Sequence, residues 1–193
     1  MAKLHFFYST MNAGKSTALL QSNHNYIESD LNTLLFIPKP IGDKSNGKIV
    51  SRIGLEADAV IVDLAYDFYN EIKKIEYTNI NCIFIDEAQF LSSKQVQSLG
   101  EIADKLNIPI MCYGIRTDFQ GKLFEGSAEL LAIADNLNEL KTICSECDKK
   151  ATMVVRLDQN GNIILRGEKI LVGGNDIYKT VCRKHFRELT KLI

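Results

Sequence analysis

Short apolar runs recur along this chain, separated by stretches in which apolar residues return every three or four positions. The runs are Leu4–Tyr8, Thr33–Ile37, Ala59–Val62, Cys82–Ile85 and Ile108–Tyr113. Their length and near-continuous apolar character predict strands buried on both faces. Ala18–Ser29, Leu64–Ile75 and Ser93–Leu106 carry the helical spacing, and Asp63 and Ser92 are placed to cap the second and third by accepting first-turn amides. Strand and helix in alternation predict crossover units, hence an α/β fold with a mostly parallel twisted sheet and helices on both faces. Ligands of such sheets bind beyond the carboxyl ends of the strands. Pro38–Gly54 is rich in turn formers and poor in apolar residues, which predicts a mobile loop. The chain shows no internal repeat and no low-complexity tract.

Composition narrows the classes. A chain of 193 residues suits one medium domain, or one with a small appendage. Its 23 basic and 24 acidic side chains leave a net charge of -1, so no bulk attraction to nucleic acid or to acidic membranes is expected. There is no leader pattern at the start and no apolar run approaching the roughly 18 residues that span a bilayer, which predicts a soluble, cytoplasmic protein without nucleic-acid or membrane partners. Five cysteines, an odd number, argue against a disulfide scaffold and leave metal binding or simple burial.

Chemistry concentrates in three places. The first is Ser9, Thr10, Met11, Asn12, Ala13, Gly14, Lys15, Ser16 and Thr17, between a predicted strand and a predicted helix. Gly14, Lys15 and Ser16 fit the end of a phosphate-binding loop, whose backbone amides surround the β-phosphate while the lysine reaches the β- and γ-phosphates and the hydroxyl ligates Mg²⁺. The following helix adds unpaired N–H donors and about half a positive charge. Ser9 departs from the pattern, because it stands where the first glycine of the motif usually stands. The bland alternative is a plain loop-to-helix turn.

The second place is the apolar segment Ile83–Ile85 ending in Asp86 and Glu87, then Ala88, Gln89 and Phe90. An aspartate at the end of such a strand holds the magnesium shell in phosphate-loop enzymes. Glu87 is then available as a base toward an attacking hydroxyl or water. The alternative is an acidic pair that merely caps the next helix. The third place is Cys144-x-x-Cys147 with Cys182-x-x-His185, two pairs of soft ligands able to complete a tetrahedral, structural Zn²⁺ site that pins both ends of the intervening arm. A redox pair, or buried unliganded thiols, are the competing readings. Cys82 and Cys112 fall inside apolar runs and read as small core residues.

Together these motifs resemble the zinc-containing thymidine kinases of bacteria and cytosol over essentially the whole chain. The resemblance rests on Met11–Thr17, Asp86–Phe90, Tyr113–Gly121, the Cys144/Cys147 knuckle and Val172–His185. It implies a P-loop kinase domain of RecA-like architecture, residues 1–139, and a small zinc-ribbon-like domain, residues 140–193, carrying a lasso loop. It further implies phosphorylation of the 5′-hydroxyl of deoxythymidine by ATP to give dTMP for DNA precursors, with Glu87 as proton acceptor. Ser9 to Ser16, Asp86 and Gln89 would bind ATP with Mg²⁺. Met11, Ile115, Phe119 and Phe124 match positions lining the base pocket, and Leu171, Val172, Gly173, Gly174 and Tyr178 match the lasso over thymine. A homotetramer, and inhibition by dTTP in the acceptor site, belong to the same resemblance.

The lasso also makes physical sense. Gly173 and Gly174 permit close backbone approach to a planar base, and Tyr178 offers an aromatic body with a polar tip. Zinc at both ends would leave the middle free to open as a lid, although the paired glycines also fit an ordinary turn. Arg52 and Arg116 are candidates for the transition-state cation, salt bridging being the default role of either. Two other classes compete: a nucleic-acid-dependent ATPase, in which Glu87 activates water, and a nucleotide-binding switch without turnover.

Overall fold

The apolar runs do pair into one sheet. In the computed structural model, which describes residues 1–167 and 177–192, the chain begins β1 (Leu4–Ser9), α1 (Lys15–Glu28), β2 (Thr33–Pro38), α2 (Lys39–Gly42), β3 (Lys48–Val50), β4 (Glu56–Asp58), β5 (Val60–Val62), α3 (Phe68–Lys74) and β6 (Cys82–Ile85). It continues α4 (Ser93–Glu101), β7 (Ile110–Ile115), α5 (Glu125–Ile133), β8 (Asn136–Glu139), β9 (Met153–Leu157), β10 (Ile163–Ile164), β11 (Tyr178–Val181) and α6 (Arg183–Thr190). Among the described residues the main sheet has the order β5-β2-β6-β7-β1-β8, and every neighbouring pair is parallel.

Alternate side chains of a strand face opposite ways, and in the central strand β6, Cys82–Ile85, both directions are fully buried, so it reads as an unbroken apolar run. On one face Leu19 and Leu20 of α1 pack against Leu35, Phe84 and Tyr113. On the other, Phe68 and Ile72 of α3, Val96 and Leu99 of α4 and Leu130 of α5 close over Phe6, Phe36, Ile83 and Ile85. Each such buried side chain contributes about 1.5–3 kcal/mol. The sheet is therefore a stiff frame from whose strand ends the functional loops extend.

Four local expectations change. The second helix opens at Phe68, capped by Asp67, whose side chain accepts from the Asn70 amide at 3.1 Å. Asp63 instead accepts from Ala65 at 2.9 Å in a preceding turn. Leu64, Phe68 and Ile72 share helical spacing, which extends the pattern a turn too far; Leu64 is in fact 72% exposed. Ser92 caps α4 as expected, in a reciprocal capping box with Gln95. Beyond Glu101 that helix widens into a π turn, Ile102–Leu106, which ends at Asn107 with φ 56°. The strand expected from Ile108 starts at Ile110, since Pro109 has no amide N–H to give to a neighbour. Finally, Pro38–Gly54 contains α2 and β3, and β3 pairs with β4; the fully buried Ile49 anchors this hairpin to the face covered by α1.

A second, antiparallel sheet, β10-β9-β11, has its own small core of Met153, Val155, Val181 and Phe186. Among the described residues, hydrogen bonds tie it to loops of the main sheet, one of them from Gln120 Nε2 to the Leu165 carbonyl at 2.9 Å. The Thr10 hydroxyl donates to the Met153 carbonyl at 3.1 Å, and the Arg116 guanidinium to the Thr152 carbonyl at 3.3 Å. Leu171, Val172, Gly173 and Gly174 lie outside the described residues. No helix among the described residues is long and apolar enough to cross a membrane.

Candidate active site

The phosphate loop leaves the carboxyl end of β1 and turns into α1. Ser9 is the last residue of β1 and has ordinary backbone geometry. The left-handed positions are Asn12, with φ 62°, and Gly14, with φ 73°. The missing glycine is thus immaterial here, because asparagine and Gly14 supply the positive φ values that the turn requires. Lys15 is buried beneath the loop, its ammonium donating to the Thr10 carbonyl at 2.8 Å and the Ser9 hydroxyl at 3.2 Å. Burial lowers its pKa, while Glu87 and then Asp86 act in the opposite sense. The loop itself solvates the cation that a phosphate would attract.

β6 ends two strands away from β1, with β7 between them, and delivers Asp86 to α1. Ser16 Oγ donates to Asp86 Oδ2 at 2.7 Å. Burial, and next the Glu87 carboxylate, push the Asp86 acid up to about 7, against the bond from Ser16, the Glu87 amide and the charge of Lys15. Two adjacent carboxylates with one buried lysine leave room for a further cation. Ser16 and Asp86 are hard oxygen donors at nearly the spacing of neighbouring ligands around Mg²⁺, about 2.9 Å for bonds of 2.0–2.1 Å. The residues present therefore fit magnesium.

Glu87 occupies the left-handed region at φ 51°, ψ 36°, which costs a side-chain-bearing residue about 1–3 kcal/mol. The distortion turns the chain sharply from β6 into the short helical turn Ala88–Phe90. That turn rests on Gly126 of α5, where an added Cβ would lie 2.5 Å from the Ala88 carbonyl and 2.8 Å from that of Leu91. Gly126→Ala should accordingly lower stability by about 1–3 kcal/mol, read as a drop in melting temperature. Unchanged melting would mean that the turn is free to move away.

The loop, Glu87 and apolar residues meet in one cavity of about 470 Å³, in the range of small-molecule sites. Its lining includes Met11 to Thr17 of the phosphate loop, Glu87 and Gln89. Apolar and aromatic side chains of Met11, Ile115, Phe119, Phe124 and Tyr178, from four separate segments, line it as well, as does Asp118. Two groups of lining residues were not legible as such in the sequence. Val154 comes from the second sheet, and Ile41, Val50 and Ile53 from the segment taken for a loop. Val50 and Ile53 are 52% and 70% exposed, so their place in the cavity wall comes from the fold and not from a buried-strand pattern along the chain. Arg52 also lines the cavity and donates to Asn12 Oδ1 of the phosphate loop, whereas Arg116 does not line it.

The candidate metal centre lies at the end of the second sheet. Donor atoms of Cys144, Cys147, Cys182 and His185 all fall within 4.8 Å of one another. His185 Nδ1 is 3.4 Å from the sulfurs of both Cys144 and Cys182. Zn–S bonds of about 2.3 Å and Zn–N bonds of about 2.0–2.1 Å give a tetrahedron with edges of about 3.5–3.8 Å, so the donor set fits zinc in size and in kind. Burial raises the Cys144 thiol, but the amides of Cys182 and Glu146, with His185, outweigh it and bring the pKa down to about 6, which makes a ready thiolate. Cys82 and Cys112 are fully buried in separate core clusters of the main sheet, away from this group.

A family model described as thymidine kinase matches residues 2–186. The chain is 52% identical over 190 residues to the thymidine kinase of Haemophilus influenzae, covering 97% of this chain and 97% of that one. It is 52% identical over 189 residues to that of Shewanella oneidensis, covering 97% and 98%. The thymidine kinase of Rhodopirellula baltica matches at 51% over 189 residues, covering 97% and 89%. Among solved structures, the Pif1 helicase from Candida albicans aligns with 74% of this chain and 36% of that one, at 16% identity and a TM-score of 0.45, a likeness too slight to bear on function.

Proposed function

The chain belongs to the thymidine kinase family, and on that premise we propose that it transfers the γ-phosphoryl group of ATP to the 5′-hydroxyl of deoxythymidine, with Glu87 as the proton acceptor. The observation that carries this reading is the shared cavity: Glu87 lines it together with the phosphate loop and with apolar and aromatic side chains that suit a methylated pyrimidine. Phosphoryl transfer needs little covalent work from the protein, so positioning and charge dominate. The loop amides and Lys15 hold the donor phosphates. Mg²⁺, held by Ser16 and Asp86, would neutralise charge on the β- and γ-oxygens. The acceptor hydroxyl is held by Glu87, which takes its proton as the new P–O bond forms and the bond from the γ-phosphorus to the β,γ-bridging oxygen breaks, leaving ADP. Tyr178 packs against the base and helps to exclude water, which limits hydrolysis of ATP. Residues 1–139 would act as the nucleoside kinase domain and 140–193 as the zinc-binding domain that carries the lasso. Assembly as a cytoplasmic homotetramer and inhibition by dTTP are part of the same proposal, carried by family membership.

Label transfer from γ-labelled ATP to a panel of nucleosides tests the reaction. Labelled dTMP is the expected product; release of phosphate stimulated by single-stranded DNA, or nucleotide binding with no turnover, would favour the two competing classes instead.

For the transition-state cation, Arg52 is the better placed of the two arginines. The β3–β4 hairpin brings it over the phosphate loop, while Arg116 is engaged with the Thr152 carbonyl. Arg52→Ala should lower kcat by about 10²-fold with a small change in thymidine KM, as loss of one preorganised donor does. Steady-state kinetics decide this, and an unchanged kcat would clear Arg52 of the role.

A further inference from the structure

Gln89 lies two residues beyond Glu87 and is 2% exposed. Its side-chain amide is used at both ends. Nε2 donates to Glu87 Oε2, and Oε1 accepts the Ile115 amide N–H at 3.1 Å. A carboxylate only accepts and a backbone N–H only donates, so one orientation of the amide satisfies both partners, and a flip breaks both. The backbone of β7 is shaped to admit this group. At Gly114 an added Cβ would stand 2.8 Å from Gln89 Oε1 and 3.2 Å from the Gln89 amide nitrogen. Gln89 is thereby wedged against the one strand that separates β6 from β1, and it ties the Glu87 carboxylate to that strand.

We infer that Gln89 is a positioning residue for the proton acceptor: its amide commits one oxygen of Glu87 and so aims the other at the acceptor hydroxyl. The inference rests on the reading of Glu87 as proton acceptor. It assigns Gln89 a task different from nucleotide binding. Glu87 needs such a guide because its backbone sits in a sparsely populated conformation at a sharp turn, where a side chain with three rotatable bonds would otherwise sample several directions. A carboxylate misaimed by about 1 Å loses roughly 10²-fold in rate.

The test compares Gln89→Ala, Glu87→Gln and the double variant in the full-length protein, with kcat, both KM values and melting temperature for each. Gln89→Ala should lower kcat about 10- to 100-fold with the ATP KM within about threefold. The double variant should match Glu87→Gln within about twofold, because a guide has nothing left to guide. If Glu87→Gln is crippled and the double variant is much slower still, or if the ATP KM of Gln89→Ala rises in step with the loss, Gln89 acts on the nucleotide and the inference falls alone. If Glu87→Gln turns over normally, the proton-acceptor reading falls and takes this one with it. Gln89→Glu, which keeps the shape, decides the matter should the alanine variant fail to fold. Its protonated acid can still donate to Glu87 and its ionised form cannot, so its kcat should fall with rising pH where the parent's does not. A profile parallel to the parent's would overturn the inference.

Discussion

Glu87→Gln is expected to lower kcat by about 10²–10⁴-fold while thymidine binds within a few-fold of its normal affinity. Glutamine fills the same volume and tolerates the same turn, and its carbonyl oxygen can still accept the Gln89 amide. It cannot take up a proton at neutral pH. The loss therefore isolates proton acceptance from positioning and from binding. Steady-state turnover paired with calorimetric titration of thymidine measures the two quantities separately. Near-normal turnover in this variant would remove Glu87 from the chemistry.

Removing the metal should have the second large effect. The small sheet buries only a handful of apolar side chains, among them Met153, Val155, Val181 and Phe186, and a core of that size needs a staple. Cys182 follows β11 directly, and β11 pairs with β9, Val181 opposite Met153. The Met153 carbonyl in turn accepts the hydroxyl of Thr10 in the phosphate loop. Purified protein should carry close to one zinc per chain. Cys147→Ser should reduce zinc content and lower the melting temperature by roughly 10 °C or more, since metal binding and local folding are coupled. Through Thr10 the same variant should weaken nucleotide binding, measurable by titration with a non-hydrolysable ATP analogue. Unchanged melting and full activity in a demonstrably zinc-free preparation would show that the four ligands do not hold the small sheet together.

Several of these features were legible along the chain because they depend on local order. The phosphate loop announces itself because Gly14, Lys15 and Ser16 must be consecutive to wrap one phosphate. Asp86 and Glu87 do so because the end of an apolar strand is a fixed place in an α/β sheet. The Cys-x-x-Cys knuckle is legible because adjacent sulfurs on one turn serve one ion. Capping at Ser92 was readable for the same reason, since the cap and its partner Gln95 lie three residues apart. Asp63 misled where Leu64 happened to share the spacing of Phe68 and Ile72, for periodicity reports which residues could share a face and not where the helix begins. β8 and α5 carried weaker patterns and were not anticipated at all.

The sequence by itself determined the five apolar strands of the main sheet, the phosphate loop, the acidic pair and the four candidate metal ligands, because each is set by neighbours within a few positions. Tertiary structure decided what those pieces face. Val154 reaches the cavity from a second sheet, Arg52 from a hairpin that Ile49 pins to the core, and Gln89 meets Glu87 only because Gly114 and Gly126 let backbone approach from β7 and α5. Apart from the Gln89–Glu87 bond itself, these are contacts between residues tens of positions apart. They follow from strand order and from the close packing of a shared core, and neither is written in the spacing of residues along the chain.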